Sequence, residues 1–320
     1  MKLTTFTHDR QQKIGAVIAD ESLVVDLEAA DRRAARREKR ERADFFGDML
    51  GFFDAGGKAL RLAKQLVREV DDGKAKADGR ITHRLRSVRI GAPMPNPRKI
   101  FCLAGNFADH VAESVAKLGV KRPTPRVFMK PPSNTVIAPG SPILLPPVTN
   151  AIDWEGELAV VMGRKAKGVK AKQALRYVGG YTIMNDVSER KLNLKRRKAY
   201  AAFDEFFDWL NGKWLDSFAP QGPWIVTSDE IRDPQTLDIS TYVNGDRKQH
   251  NNTRQMLSTV ARTIEYISEI ITLEPGDLIS TGTISGVGAA SGTFMKPGDK
   301  VEIRISRIGS LKNPVRKSAK

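Results

Sequence analysis

Cysteine is almost missing: Cys102 stands alone among 320 residues, which excludes an internal disulfide and any cysteine-built zinc cluster. Long apolar runs are missing too, since no stretch approaches the roughly 18 consecutive apolar residues of a membrane-spanning helix. The opening MKLTTFTHDRQQK has no apolar secretory core. A reducing, cytoplasmic setting with no membrane contact is the simplest expectation. Aromatic residues are sparse at 7%. No basic run is interleaved with stacking aromatics, and no helix-turn-helix, zinc-finger or RRM signature is present, so nucleic acid is not expected as a partner.

Positive charge, by contrast, is abundant. The formal net charge of +16 concentrates in DRRAARREKRER (31–42), KLNLKRRK (191–198) and the tail LKNPVRKSAK (311–320). The first has the interspersed acids of a solvated helix face, and the second can attract an anionic substrate.

Along the chain, KLTTFTH, KIGAVIAD and SLVVDL read as short strands separated by polar turns. Helical periodicity follows from about Ala29 to Asp71, in two apolar pieces broken at Gly56-Gly57. The charged stretch DDGKAKADGR (71–80) reads as a linker. Residues 1–80 thus form a small N-terminal α+β domain, and residues 90–315 a larger unit opened by PMPNPRK. In that unit strand signals multiply, with helices at ADHVAESVAKLG (108–119), KQALRY (172–177) and MLSTVARTIEYISEII (256–271). This is not regular strand–helix alternation, so an α+β fold of mixed and antiparallel strands is expected.

Four groups carry chemistry. In DWEGELAVVMG (153–163), Glu155 and Glu157 begin a strand-like run and point to one face. With Asp186, which ends YTIMND, they suit a hard octahedral cation such as Mg²⁺ or Mn²⁺. A solvent-facing pair and a turn-forming Asp are the plainer alternatives. His110 and Glu113 in NFADHVAES have the i, i+3 spacing of a base and its orienting carboxylate, and equally of a surface ion pair. Lys213 lies among Trp214, Phe218 and Trp224, where it can serve as an electrophilic group or simply snorkel to water. In LISTGTISGVG, Thr283 and neighbouring backbone N–H groups can meet an anion, or form only a tight connection.

The order of these pieces resembles the fumarylacetoacetate hydrolase family. From KIFCLAGNFADH to IGSLKNPV, roughly residues 99–315, the matching segments are NFADHVAE, FMKPPS, GSPILLP, DWEGELAVVMGR, YVGGYTIMNDVSER, GKWLDSFAPQGPWIVT, VNGDRKQ, ITLEPGDLISTGTISGVG and KPGDKVEIRI. The resemblance implies a strand-rich mixed β-sandwich or roll as catalytic domain, with the small leading domain many members carry. It makes Glu155, Glu157 and Asp186 ligands of Mg²⁺ or Mn²⁺, and His110 and Glu113 a water-activating dyad on a short helix that orders over the site. It places Lys213 at a developing enolate, Thr283 at the substrate carboxylate and Arg190 near the substrate.

Departures from the family pattern occur at SERKLN, where S-x-R-D-x-Q is frequent: Lys191 replaces an acid and Asn193 a longer amide. Phe107 stands where Tyr is frequent. The chemistry implied is hydrolytic C–C cleavage of an acylpyruvate-type 2-oxo acid by a homodimer. Its alternatives are decarboxylation, as of oxaloacetate, and isomerisation of a hydroxymuconate-type acid in aromatic catabolism. A basic nucleic-acid-binding protein on an inactive scaffold, or a purely structural dimerisation module, are rivals of another kind. A short helix flanked by Gly105 and Gly119 is marginal by itself, so residues 106–119 are expected to move on substrate binding.

Overall fold

The computed structural model describes residues 1–71, 77–113, 124–147, 149–194 and 197–318. Among them, twelve strands join in one mixed sheet. Its order runs from Thr82–Arg84 through Leu23–Asp26, Gln11–Ile18 and Lys2–His8 to Ala219–Thr227 and Val178–Asn185. It continues through Gly156–Met162, Leu278–Ser280 and Ile100–Ala104 to Arg126–Lys130, and off this path Arg89–Ile90 pairs with Lys2–His8 and Val136–Ile137 with Ala219–Thr227. A second sheet of five strands is built from Asp246–Asn252, Asp238–Val243, Lys300–Ile305, Gly309–Lys317 and Ile143–Leu145. The fold is α+β and strand-rich, as the resemblance implied.

Gly156–Met162 explains its own composition. Every residue of it is buried, and its side chains alternate between two cores. Leu158, Val160 and Met162 join Ile239, Ile303 and Ile305 of the second sheet. Ala159 and Val161 join Phe52, Phe53, Ala59 and Leu66 of the N-terminal helices. A strand covered on both faces reads as a continuous apolar run rather than an alternating one. Gly156 separates the two glutamates because the sheets meet there: a Cβ would lie 2.2 Å from the Thr241 hydroxyl. Gly179 is required in the same way on the other face, where a Cβ would lie 2.4 Å from the Phe53 ring.

The N-terminal strands are continuous with the large sheet, since Leu3 pairs with Ile225. Asp26 caps the helix Leu27–Glu38 by accepting from Ala29 N. The helical region then breaks at Gly56, whose φ of 56° ends Met49–Ala55 before Gly57–Val70 begins. The periodic stretch 256–271 becomes helix only at Val260–Ile270, because a 3₁₀ turn occupies Thr253–Gln255 and the Thr259 side chain caps Arg262 N. A helix at Asp204–Asn211 was not foreseen. No helix among the described residues is long and apolar enough to cross a membrane.

Candidate active site

Two strand ends bring the acids together. Gly156 pairs with Asn185, so Glu155 and Asp186 lie just beyond the paired ends of adjacent strands. Asp186 N donates to Glu155 O at 2.9 Å, and Glu155 N donates to Asn185 Oδ1 at 2.9 Å. One carboxylate oxygen from each of Glu155, Glu157 and Asp186 falls within 4.8 Å of the others. All three side chains are buried.

Such a cluster needs countercharge. Lys213 Nζ bridges Glu155 Oε2 at 2.8 Å and Asp186 Oδ2 at 2.9 Å. Lys130 Nζ donates to Asp186 Oδ1 at 2.5 Å and to Val187 O at 2.9 Å. Arg190 donates through Nη2 to Glu155 Oε1 and through Nε to Asp153 Oδ2. Burial opposes ionisation of Glu155, but Arg190 and Lys213 outweigh it and hold the carboxyl well below its ordinary range. Burial likewise opposes the Lys213 charge, and Asp186 and Glu155 more than offset it, raising the ammonium above the usual lysine range.

Glu157 is different. Its Oε2 accepts from Ser280 Oγ at 2.5 Å and Gly282 N at 2.8 Å. Its Oε1 is buried with no hydrogen-bond partner among the described residues. Burial, then the charges of Asp186 and Glu155, push its carboxyl well above the ordinary value. A buried, unpartnered carboxylate oxygen facing two other carboxylates fits a hard divalent cation, which takes oxygen ligands.

The dyad lies beside this cluster. His110 Nδ1 is 3.3 Å from Glu113 Oε2, and Gly286 N donates to Glu113 Oε1 at 2.8 Å. Asp109 ties the same helix, Ala108–Glu113, to Asn251 and Ser285. Residues 114–119 of the segment expected to move lie outside the described residues. His110, Glu113 and Arg190 line one cavity of about 590 Å³, whose other walls include Arg126, Phe128, Phe206, Trp209, Val287 and Ala289. Arg190 therefore belongs both to the cavity and to the carboxylate cluster.

The family match covers residues 99–316, with the fumarylacetoacetate (FAA) hydrolase C-terminal domain. The chain belongs to the fumarylacetoacetate hydrolase family. It is 34% identical over 305 residues to a mitochondrial oxaloacetate tautomerase, fahd2, of Xenopus laevis, covering 95% of this chain and 86% of that protein. It is 38% identical over 272 residues to the 2,4-didehydro-3-deoxy-L-rhamnonate hydrolase of a Sphingomonas species, covering 83% of this chain and 91% of that one. Among solved structures, the maleylpyruvate hydrolase of Sphingobium sp. SYK-6, in complex with manganese(II) ion and pyruvate, superposes with a TM-score of 0.73. That pair is 26% identical, and the alignment covers 100% of both chains.

Set within this family fold, the other sequence candidates fall in different surroundings. The Thr283 hydroxyl donates to Gly156 O at 3.1 Å and accepts from Gln249 Nε2 at 2.9 Å. It is buried and is not among the residues lining the cavity. Phe107 sits wholly in the core. Lys191 lies over the Phe294 ring, and Asn193 bonds Tyr200 and the Arg197 backbone. Two residues were missed. Lys130 ends the strand in FMKPPS, and a buried lysine there must be paired. Asp153 accepts from Gly288 N, Ala289 N and Arg190, so it fixes both the arginine and a wall of the cavity. The single thiol, Cys102, is fully buried and pushed well up by burial, then by Asp186, which leaves it no nucleophilic role.

Proposed function

We propose that this protein is a divalent-metal-dependent enzyme that hydrolyses a C–C bond of an acylpyruvate-type 2-oxo acid. The observation that carries this reading is the sharing of Arg190 between the three-carboxylate cluster and the cavity that holds His110 and Glu113. Glu155, Glu157 and Asp186 would hold Mg²⁺ or Mn²⁺, which supplies Lewis acidity toward the oxygens of a 2-oxo acid. Support for the metal comes from the unpartnered Glu157 Oε1 and from the manganese in the maleylpyruvate hydrolase structure.

The chain's own residues supply the rest. Gly286 N occupies one oxygen of Glu113, leaving the other for His110 Nδ1. When Nδ1 carries its proton toward Glu113, Nε2 is the ring nitrogen able to accept one from water. The Lys213 ammonium, fixed by Glu155 and Asp186 and lying against the Phe128 and Trp209 rings rather than in the cavity lining, would favour negative charge developing on the pyruvyl fragment through the carboxylate cluster. Phe128 and Trp209 give the cavity an aromatic, apolar wall.

A second reading is keto–enol tautomerisation of a small 2-oxo acid, in which the same dyad moves a proton with no added water. The likeness to the oxaloacetate tautomerase across 95% of this chain favours it. The two readings separate on products. With Mn²⁺ or Mg²⁺ added, acetylpyruvate should yield pyruvate and acetate, and H110A should lose about 10²–10⁴-fold in kcat with metal content unchanged. Rapid ketonisation of enol-oxaloacetate with no cleavage of any acylpyruvate would replace the hydrolase by the tautomerase. We also propose that the protein works as a homodimer, which light scattering tests.

A further inference from the structure

The arginine-rich run DRRAARREKRER (31–42) folds into an open concavity of about 610 Å³ rather than a plain helix face. Arg32 and Arg36 line it from the helix Leu27–Glu38, and Lys39, Arg40 and Arg42 from the turn that follows. Glu41 is the one acid in its lining among the described residues. None of these side chains lines the cavity beside the carboxylate cluster, so the two places are separate.

The turn is built, not frayed. Lys39 takes a φ of 54°, the left-handed conformation that glycine usually supplies at a helix end. The returning chain is then hooked to the helix at the buried Asp31, whose Oδ2 accepts from Ala43 N at 2.8 Å. Arg40 Nη2 lies 2.7 Å from Asp31 Oδ1, and its Nε lies 2.8 Å from Glu38 Oε2. Arg40 is thus spent on holding the turn, and Arg32 meets Glu28 at 3.1 Å. The side chains of Arg36, Lys39 and Arg42 have no hydrogen-bond or ion-pair partner among the described residues. A cation in a helix's last turn complements the helix dipole. Three unpaired cations converging on one concavity exceed what that end requires.

We infer that this concavity binds a compact oligophosphate, either a short inorganic polyphosphate or the phosphate arm of a nucleotide. Guanidinium groups meet phosphate oxygens in bidentate geometry, and a lysine adds a point charge. A phosphate monoester carries about −1.5 to −2 charge near pH 7, so a phosphate chain packs more charge into this volume than carboxylates do. No aromatic residue lines the concavity among the described residues, so the phosphates and not a base are what it holds. The returning turn makes the surface concave, which suits a compact anion better than a duplex or a bilayer, whose charge is spread over a broad face.

The test is calorimetric titration of the full chain in 0.1 M salt, where exposed charges more than about 10 Å apart are largely screened. The probes are tripolyphosphate and ATP, against orthophosphate and citrate. At least one of the first pair should bind about tenfold or more tightly than both of the second, or about 1.4 kcal/mol, and the tighter of the two names the source. R36Q/K39Q/R42Q should weaken that binding at least about tenfold. R164Q/K172Q/R176Q, which removes three exposed cations elsewhere, should leave it within about twofold. K39G separates binding from folding: glycine suits the left-handed position, so this variant should melt no lower than the wild type and yet bind the probe at least about threefold more weakly. Equal losses in the two triple variants, or an undiminished affinity in R36Q/K39Q/R42Q or K39G, would overturn the site and leave only diffuse surface charge. A DNA duplex or phosphatidylglycerol vesicles held more tightly than either phosphate probe, through the same three residues, would replace the compact ligand by a broad polyanionic surface.

Discussion

Three carboxylates in one buried space repel one another, and the neighbouring cations relieve that repulsion unequally. Lys213 and Arg190 hold Glu155, and Lys213 and Lys130 hold Asp186. Among the described residues, Glu157 has only the hydroxyl of Ser280 and the amide of Gly282. E157Q keeps the shape and removes the charge. Without added metal, the variant should therefore melt no lower than the wild type. Its affinity for Mn²⁺ should fall at least about a hundredfold, beyond the 10–100-fold typical of losing an outer partner. Titration with Mn²⁺ alongside thermal melts checks both, and undiminished Mn²⁺ affinity would remove Glu157 from the ligand set. The acids were legible because E-x-E in a strand and Asp at the next strand's end are local patterns. Lys130 was not, since 56 residues separate it from Asp186 and only the sheet brings them together. Thr283 was legible as a residue type but not as a direction: its hydroxyl serves Gly156 and Gln249.

Elements follow the same rule, that local signals are readable and tertiary ones are not. The break at Gly56 and the strand Gly156–Met162 were written in the sequence as a helix breaker and a Val-rich run. The helix Asp204–Asn211 was hidden because it starts after Phe203 in the left-handed region, with no side-chain cap. Its Phe206 and Phe207 are also left exposed rather than buried in a core stripe. A turn of the opposite kind precedes Thr82–Arg84: Asp78 Oδ1 accepts from the backbone N–H of Arg80, Ile81 and Thr82 at 2.8–2.9 Å. Partial burial opposes its charge, but these N–H donors lower its pKa from 3.8 to about 2. The folded state thus binds this proton more weakly than the unfolded chain does. The stabilisation is complete above about pH 4 and disappears as pH falls through about 2. D78A should accordingly lower the melting temperature at pH 6, with the difference from wild type shrinking toward pH 2. A difference that stays constant over that interval would mean the turn is held by something other than the carboxylate.

At the scale of the whole molecule, the charged stretch 71–80 marks a change in composition, but strands from either side of it pair in one hydrogen-bonded sheet. Lys2–His8 pairs with Gln11–Ile18 on one side and with Ala219–Thr227 on the other. The N-terminal helices supply Phe52, Phe53, Ala59 and Leu66 to the core that receives Ala159, Val161, Ile100 and Cys102. The site thus stands on a strand whose two faces are covered by different parts of the chain. Fully burying a large apolar side chain contributes about 1.5–3 kcal/mol, so exposing several of them on this face would cost an amount comparable with a domain's usual margin of about 5–15 kcal/mol. Sequence composition cannot register such sharing, because each half looks complete by its own periodicity. The expected consequence is one cooperative unfolding transition, with equal calorimetric and van't Hoff enthalpies, rather than two. A chain beginning at residue 90 should fail to give a cooperative melt, since Ala219–Thr227 loses its neighbour and the aromatic-covered face meets water. Two resolved transitions in the full chain, or a cooperative melt of the shortened one, would mean that the larger unit folds by itself and that the N-terminal strands only dock on a finished sheet.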